Sequence, residues 1–158
     1  MRLLLWIIPL LFLGCESYQQ GNQKTGKPTQ EIAPKVVKEK AESVALNWEK
    51  KIPAAINRGK REQKPVMILV TADGCKWCDV LRETTLSDSQ VIAKLNKNFI
   101  MAQGYTNRGE VPGELYTSGT PGTWFLKNGE PMFQPLMGAL PKDQYLEALD
   151  IVLKEFQK

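Results

Sequence analysis

The chain has 158 residues, of which 42% are hydrophobic and 24% charged, and its formal net charge is +4. This length suits one ordinary domain, and a composition near the globular average excludes wholesale disorder and collagen-like repetition. The basic residues are scattered along the chain, which argues against a dedicated nucleic-acid-binding protein. Histidine is absent, so histidine metal ligands, histidine bases and histidine-containing catalytic pairs are excluded.

Residues 1–14 have the pattern of an export signal peptide. Arg2 precedes an unbroken apolar run from Leu3 to Leu13. This run is shorter than the about 20 residues that span a bilayer, and it suits the apolar region of a signal peptide. The run ends in Leu-Phe-Leu-Gly-Cys at residues 11–15, which resembles the lipobox of bacterial lipoproteins. The resemblance implies cleavage after Gly14 and acylation of Cys15 by chains such as palmitate.

A lipidated Cys15 would hold the protein to a lipid bilayer in the bacterial cell envelope, facing the periplasm. The sequence is compatible with either the inner or the outer membrane. A conventional signal peptide, or an uncleaved anchor with an incidental cysteine, is the alternative. Residues 15–34 are polar and nearly lack apolar side chains, so they are predicted to form a flexible tether. Residues 35–158 are predicted to form the folded domain.

The domain begins with two helical patterns and a buried strand. An N-terminal helical extension is predicted from apolar residues at spacings of three or four, namely Val37, Ala41, Val44 and Trp48. Pro53 suits the first turn of a second helix, which is predicted over residues 53–60. The continuous apolar run within residues 64–70 predicts a strand that is buried on both faces.

The rest of the domain alternates loops, helices and strands. A loop at 71–74 and a helix at 79–83 are followed by a capped helix that starts near Ser87–Ser89 and has Val91, Ile92 and Leu95 on one side. A strand at 99–102, a loop at 104–119 and a strand at 123–126 come next, and an Asn128-Gly129 turn leads to a strand around Met132-Phe133. The final helix has Tyr145, Leu149, Val152 and Phe156 on one face. This order predicts an α/β fold with a central mixed sheet of about four strands flanked by helices. The first two strands are expected to pair in parallel and the last two as an antiparallel hairpin.

Cys75-Lys76-Trp77-Cys78 follows the buried strand directly and opens a helix. Two intervening residues in a first helical turn allow the sulfurs to reach disulfide geometry. Unpaired N–H groups at a helix start favour a thiolate, which attacks disulfides at neutral pH. Lys76 adds a nearby positive charge, and Trp77 can shield the site or pack on a partner. The motif therefore predicts redox chemistry at Cys75 and Cys78.

Other interpretations of this motif are a permanent disulfide and half of a metal site. A disulfide that closes so small a loop constrains the unfolded chain little. A tetrahedral zinc site needs four ligands, and the remaining cysteine is Cys15 on the predicted tether. Copper(I) held by two thiolates is a further alternative. No metal and no dissociable cofactor is expected.

Residues 48–156 resemble the thioredoxin-like superfamily, and within it an exported branch. The resemblance is carried by the strand at 64–70, the C-x-x-C, the segment 86–91, and Gly119-Thr120-Pro121-Gly122-Thr123-Trp124-Phe125. The last segment resembles the loop with the family's cis-proline, a rare and positioned feature. It implies a cis bond before Pro121 and a backbone at Thr120 that pairs with an extended substrate. An ordinary trans proline is the alternative.

The resemblance implies a thiol–disulfide oxidoreductase in which Cys75 forms a mixed disulfide with a client protein and Cys78 resolves it. The expected partners are exported proteins with thiols or disulfides and a membrane thiol–disulfide electron partner. Reduction of clients is the direction that the resemblance favours. A disulfide oxidase or isomerase of the same fold and a non-catalytic client-binding module are the alternatives.

Two positions depart from the pattern of the thioredoxins proper. Those proteins carry a buried acid at the position of Leu69 and a tryptophan at the position of Gly74. The missing acid removes the usual proton acceptor for Cys78. Asp73 and Asp79 are close in sequence, and both are expected to be exposed.

Overall fold

The computed structural model describes residues 45–158, which form a six-stranded mixed sheet with helices packed against both faces. The expected α/β fold class is confirmed. The predicted signal peptide, the predicted tether and the predicted first helix as far as Val44 lie outside the described residues. No helix within residues 45–158 is long and apolar enough to cross a membrane.

The sheet is built around one fully buried strand. The strands are β1 Trp48–Glu49, β2 Val66–Thr71, β3 Ile100–Tyr105, β4 Gly122–Lys127, β5 Glu130–Pro131 and β6 Leu136–Met137. Their order is β1-β3-β2-β4-β5, and β6 also pairs with β4. The β1, β3 and β2 strands run parallel, whereas β4 runs antiparallel to β2 and to both β5 and β6. The predicted parallel pair and antiparallel hairpin are therefore confirmed.

All residues of β2 are buried because helices cover both of its faces. The helices are α1 Ile52–Glu62, α2 Lys76–Val80, α3 Ser89–Asn98 and α4 Lys142–Phe156. A π-helical turn at Leu81–Thr85 continues α2. Successive strand side chains point to opposite faces. Met67 and Leu69 pack in the core beneath α3 and α4, and Ile68 packs on the α1 side. The motif that follows β2 is thus fixed to the most rigidly packed part of the sheet.

Local sequence signals set several helix and turn positions. The carboxylate of Asp88 caps α3 by accepting hydrogen bonds from the backbone N–H of Gln90 at 2.9 Å and of Val91 at 3.3 Å. The Asn128-Gly129 turn closes the β4–β5 hairpin with positive φ angles of 56° and 92°, which is the backbone that a tight two-residue hairpin requires. Both predictions are confirmed.

Three predicted elements differ from the structure. Trp48 belongs to β1 and pairs with Met101 rather than ending a helix, because pairing with the edge of the sheet satisfies its backbone and half-buries its side chain. The helix of the motif begins at Lys76, which confirms that the C-x-x-C opens a helix and corrects the predicted start at Asp79. The sheet has six strands instead of the predicted four or so, because β1 is an additional two-residue strand and the predicted fourth strand is divided into β5 and β6.

Met132 and Phe133 do not form the fourth strand that the sequence predicts. The strand is divided into β5 and β6, which both pair with β4. Phe133, Gln134 and Pro135 stand opposite the single residue Trp124, so this edge is bulged. Proline lacks the N–H that a continuous ladder needs, and Pro135 lies in the interruption.

Tyr145 of α4 is fully buried, and its hydroxyl donates to Sδ of Met67 at 3.3 Å. Burial raises the pKa of Tyr145 from 10.0 to about 12. The folded protein therefore holds the phenolic proton more tightly than the unfolded chain does. The resulting contribution to stability is complete below pH 10 and is lost as the pH rises towards 12.

Replacement Tyr145→Phe should make the free energy of unfolding less sensitive to alkaline pH. Between pH 8 and pH 11 the unsubstituted protein should lose about 1.4 kcal/mol more than the variant, because one unit of the pKa difference is expressed at pH 11. Urea unfolding at both pH values measures this difference. An equal loss in both proteins would contradict the burial of an un-ionised Tyr145.

Candidate active site

Cys75 and Cys78 lie where the buried strand β2 gives way to α2. They form a disulfide with a Cα–Cα distance of 5.2 Å. Cys75 precedes the first residue of α2 and occupies its N-cap position. The backbone needs no rearrangement to bring the sulfurs together, because the first turn of α2 already supplies the spacing.

Two hydrogen-bond donors are directed at the sulfur of Cys75. The backbone N–H of Cys78 and the hydroxyl of Thr120 each lie 3.2 Å from Sγ. Donors that point at a sulfur stabilise its anionic form more than its neutral form. This geometry supports a thiolate at Cys75 once the disulfide is reduced.

The two cysteines differ in access to solvent. Cys75 is half-buried, whereas Cys78 is 0% exposed. A second protein can therefore reach the sulfur of Cys75 and not that of Cys78. This asymmetry fits an attacking role for Cys75 and an internal, resolving role for Cys78.

The Thr120–Pro121 bond is cis, as the resemblance implies, and it places Thr120 beside Cys75. The loop before it is anchored to the sheet, because Nε1 of Trp124 donates to the backbone oxygen of Leu115 at 2.7 Å. A Cβ on Gly122 would lie 2.6 Å from Cγ2 of Thr117, so only glycine allows the loop to fold back so closely. Both features hold the Thr120 hydroxyl near the disulfide.

Among residues 45–158, no buried acid lies near Cys78. Leu69 is 0% exposed within the apolar core, and the buried polar residues in the described part of the chain are Thr71, Thr85 and Thr123. Asp73 and Asp79 are both exposed, as expected. The proton of Cys78 must therefore leave through water or a substrate group rather than through a carboxylate beneath the helix.

Lys76 and Trp77 project away from the protein on α2. Lys76 is exposed, and Trp77 is 65% exposed. Tyr116 and Met137 are also exposed apolar side chains. Both lie close to the start of β4, because Thr117, next to Tyr116, packs against Gly122 and Met137 pairs with Gly122. The site thus adjoins apolar surface that is available to another protein.

Charged contacts that motif reasoning missed also adjoin the site. The guanidinium of Arg82 donates to Oγ1 of Thr71 at 3.2 Å and to Oε1 of Gln103 at 3.4 Å. Arg108 forms a salt bridge with Asp73, directly before the motif. Both contacts join residues far apart in sequence, and the parallel pairing of β2 with β3 is the only sequence signal that could have suggested them. Within residues 45–158, no three metal-ligating side chains cluster.

A strand–turn–helix dithiol site facing a cis-proline defines a protein of the thioredoxin type. Residues 52–153 match the family model of the thioredoxin-like domain. The chain belongs to the thioredoxin-like family. A comparison with curated protein sequences finds no match.

Solved structures show the same fold. A thioredoxin from Thermus thermophilus is 26% identical with a TM-score of 0.57, and the match covers 70% of this chain and 88% of that one. The structure of a DsbH oxidoreductase is 19% identical with a TM-score of 0.61, covering 82% and 95%. The oxidised C-terminal domain of DsbD from Neisseria meningitidis is 23% identical with a TM-score of 0.53, covering 68% and 98%.

Replacement Thr120→Ala should shift the pH midpoint for alkylation of reduced Cys75 upwards by about one unit, since a hydrogen bond to a charged group contributes about 1.5 kcal/mol. Thr120→Ser keeps the hydroxyl and should retain the original midpoint. Iodoacetamide labelling across pH, followed by mass spectrometry, measures both. Equal midpoints for the alanine and serine variants would show that the hydroxyl does not act on the sulfur.

Proposed function

We propose that this protein is a membrane-anchored, extracytoplasmic thiol–disulfide oxidoreductase that reduces disulfides in exported proteins. The observation that carries the proposal is the disulfide between half-buried Cys75 and fully buried Cys78 at the start of α2. A purely structural disulfide gains little from closing so short a loop. A redox pair, in contrast, needs one accessible and one protected sulfur.

The proposed reaction passes through a mixed disulfide. The thiolate of Cys75 attacks one sulfur of a client disulfide, which forms a Cys75–client bond and releases the other client sulfur as a thiolate that takes up a proton. Cys78 loses its proton and attacks Sγ of Cys75. The mixed disulfide breaks, the second client thiol leaves, and the Cys75–Cys78 disulfide forms. Two electrons pass from the dithiol to the client.

The exposed apolar side chains beside the site support a protein substrate. Trp77 is 65% and Tyr116 is 55% exposed, and apolar side chains of this size contribute strongly to protein contacts. The side-chain hydroxyl of Thr120 lies 3.2 Å from the sulfur of Cys75, so an extended client segment that pairs with the Thr120 backbone would present its disulfide to that sulfur. We infer that clients offer apolar, extended segments around the reacting cysteine.

The leader sequence supports the proposed location. The apolar run of residues 3–13 and the Gly14-Cys15 pair resemble a lipoprotein signal. Acyl chains on Cys15 would anchor the protein, because each buried methylene contributes about 0.8 kcal/mol. In an oxidising compartment a reductase also needs a membrane dithiol partner, which would return the Cys75–Cys78 disulfide to the reduced state.

Reductase activity should depend on both cysteines in different ways. In an insulin-reduction assay with dithiothreitol, the unsubstituted protein should accelerate turnover and Cys75→Ser should not. Cys78→Ala should accumulate mixed disulfides with clients, because the resolving sulfur is missing. Cys15→Ser is the matched control, which should keep turnover in solution and lose membrane association in cells.

Negligible turnover by both the unsubstituted protein and Cys75→Ser would contradict the enzymatic proposal and favour a client-binding module. The direction is tested separately by equilibration with glutathione. A potential well above about −180 mV would identify an oxidising enzyme instead of a reductase.

A further inference from the structure

Residues 72–75, here called the active-site turn, are fastened to the short helical turn Thr106–Arg108 after β3. The backbone N–H of Asp73 donates to Oδ1 of Asn107 at 3.1 Å, and Nδ2 of Asn107 donates back to Oδ2 of Asp73 at 3.1 Å. Arg108 completes the contact, with Nε 2.9 Å from Oδ2 of Asp73 and its second donor on Oδ1. The turn that delivers Cys75 is thus held by a bidentate ion pair.

The surroundings of Arg108 orient it towards Asp73. Its guanidinium lies over the ring of Tyr105, 3.9 Å from the ring centroid. Tyr105 is the last residue of β3 and stands opposite Thr71, the last residue of β2. Hydroxyl Oγ1 of Thr106 also donates to the backbone oxygen of Thr71 at 3.3 Å. The end of β3 therefore presents a preformed cation to the active-site turn.

Global stability does not explain this ion pair. The side chains of Arg108 and Asp73 are 49% and 47% exposed, and ion pairs so open to solvent contribute little to folding. The pair acts locally instead, because hydrogen bonds from Arg108 hold the pKa of Asp73 below its ordinary value. Asp73 lies two residues before the nucleophile, on the same active-site turn.

We propose that Arg108 is a positioning residue for disulfide exchange at Cys75. Arg108 fixes the active-site turn and neutralises the carboxylate of Asp73, two residues before the nucleophile. The inference rests on the proposed function. A free carboxylate at Asp73 would oppose the negative charge that develops on the Cys75 sulfur. The ion pair with Arg108 lets the active-site turn keep the hydrogen bonds of Asp73 without this electrostatic repulsion.

Other charges near Cys75 do not remove the need for this pair. On its own segment the sulfur has Lys76, which is exposed, and Asp79, whose carboxylate is paired with Arg82. On the cis-proline side it meets the uncharged hydroxyl of Thr120. Arg108 supplies the cation from the β3 side. It is hydrogen-bonded to Asp73, and the carboxylate of Glu110, which accepts from the backbone N–H of Tyr105, is a second anion near it.

Removing the charge of Arg108 and removing the charge of Asp73 should change the labelling rate of Cys75 in opposite directions. In the reduced full chain, Arg108→Gln leaves Asp73 unpaired and should slow iodoacetamide labelling of Cys75 at pH 6 by about two- to threefold. Asp73→Asn removes the carboxylate that is hydrogen-bonded to Arg108 and should accelerate labelling by a similar factor. The double variant should return close to the original rate. Trypsin cuts after Lys76, so the two cysteines are quantified on separate peptides.

Two further variants separate charge from folding. Arg108→Lys keeps the cation and should label at nearly the original rate, although it loses the bidentate geometry. Asp150→Asn removes a comparable exposed ion pair, with Lys94, far along the chain and should have no effect. Shifts caused by charge should also shrink in 1 M salt.

Rate changes of the same sign in Asp73→Asn and Arg108→Gln, or no change in either, would overturn the proposal and leave the pair as a simple loop fastening. If Arg108→Gln fails to fold, the comparison of Asp73→Asn with Arg108→Lys decides alone. Labelling requires no client and no turnover. A failed reductase assay and a failed test of Arg108 are therefore distinguishable.

Discussion

Two donors are directed at the Cys75 sulfur, the backbone N–H of Cys78 in the same helical turn and the hydroxyl of Thr120, 45 residues along the chain, each at 3.2 Å. The N–H is there because α2 starts immediately after the motif's first cysteine. The hydroxyl is there because β4 pairs antiparallel with β2 and the cis-proline loop precedes it. Every functional proposal depends on these donors making one sulfur anionic and leaving it accessible.

The packing around β2 gives this site its precision and also its unusual chemistry. Because both faces of β2 are buried, the strand that leads into the motif is held firmly in the sheet. The same apolar packing places Leu69 where the thioredoxins proper carry an acid. Among the described residues, Cys78 has no buried carboxylate beside it, so its proton must pass to water or to a substrate group before the sulfur can attack.

Local patterns predicted much of the fold and of the site. The apolar run of β2, the Asp88 cap, the Asn128-Gly129 turn and the C-x-x-C are all short-range signals, and the structure contains each of them. The contact between Arg108 and Asp73 escaped prediction, because nothing local to Asp73 specifies a partner 35 residues away. The placement of Thr120 near Cys75, 45 residues away, came from the family resemblance and from no local pattern. Trp48 shows the same limit, since helical spacing of apolar residues was overridden by pairing with β3.

The most direct test of this account is the rate at which iodoacetamide alkylates Cys75 in the reduced protein, compared with free cysteine at pH 6. A free thiol with a pKa near 8.5 is less than about 1% thiolate at that pH. The account predicts that Cys75 reacts at least about tenfold faster, because its thiolate fraction is far larger. A rate equal to that of free cysteine would show that the two donors do not activate the sulfur and would contradict the central claim.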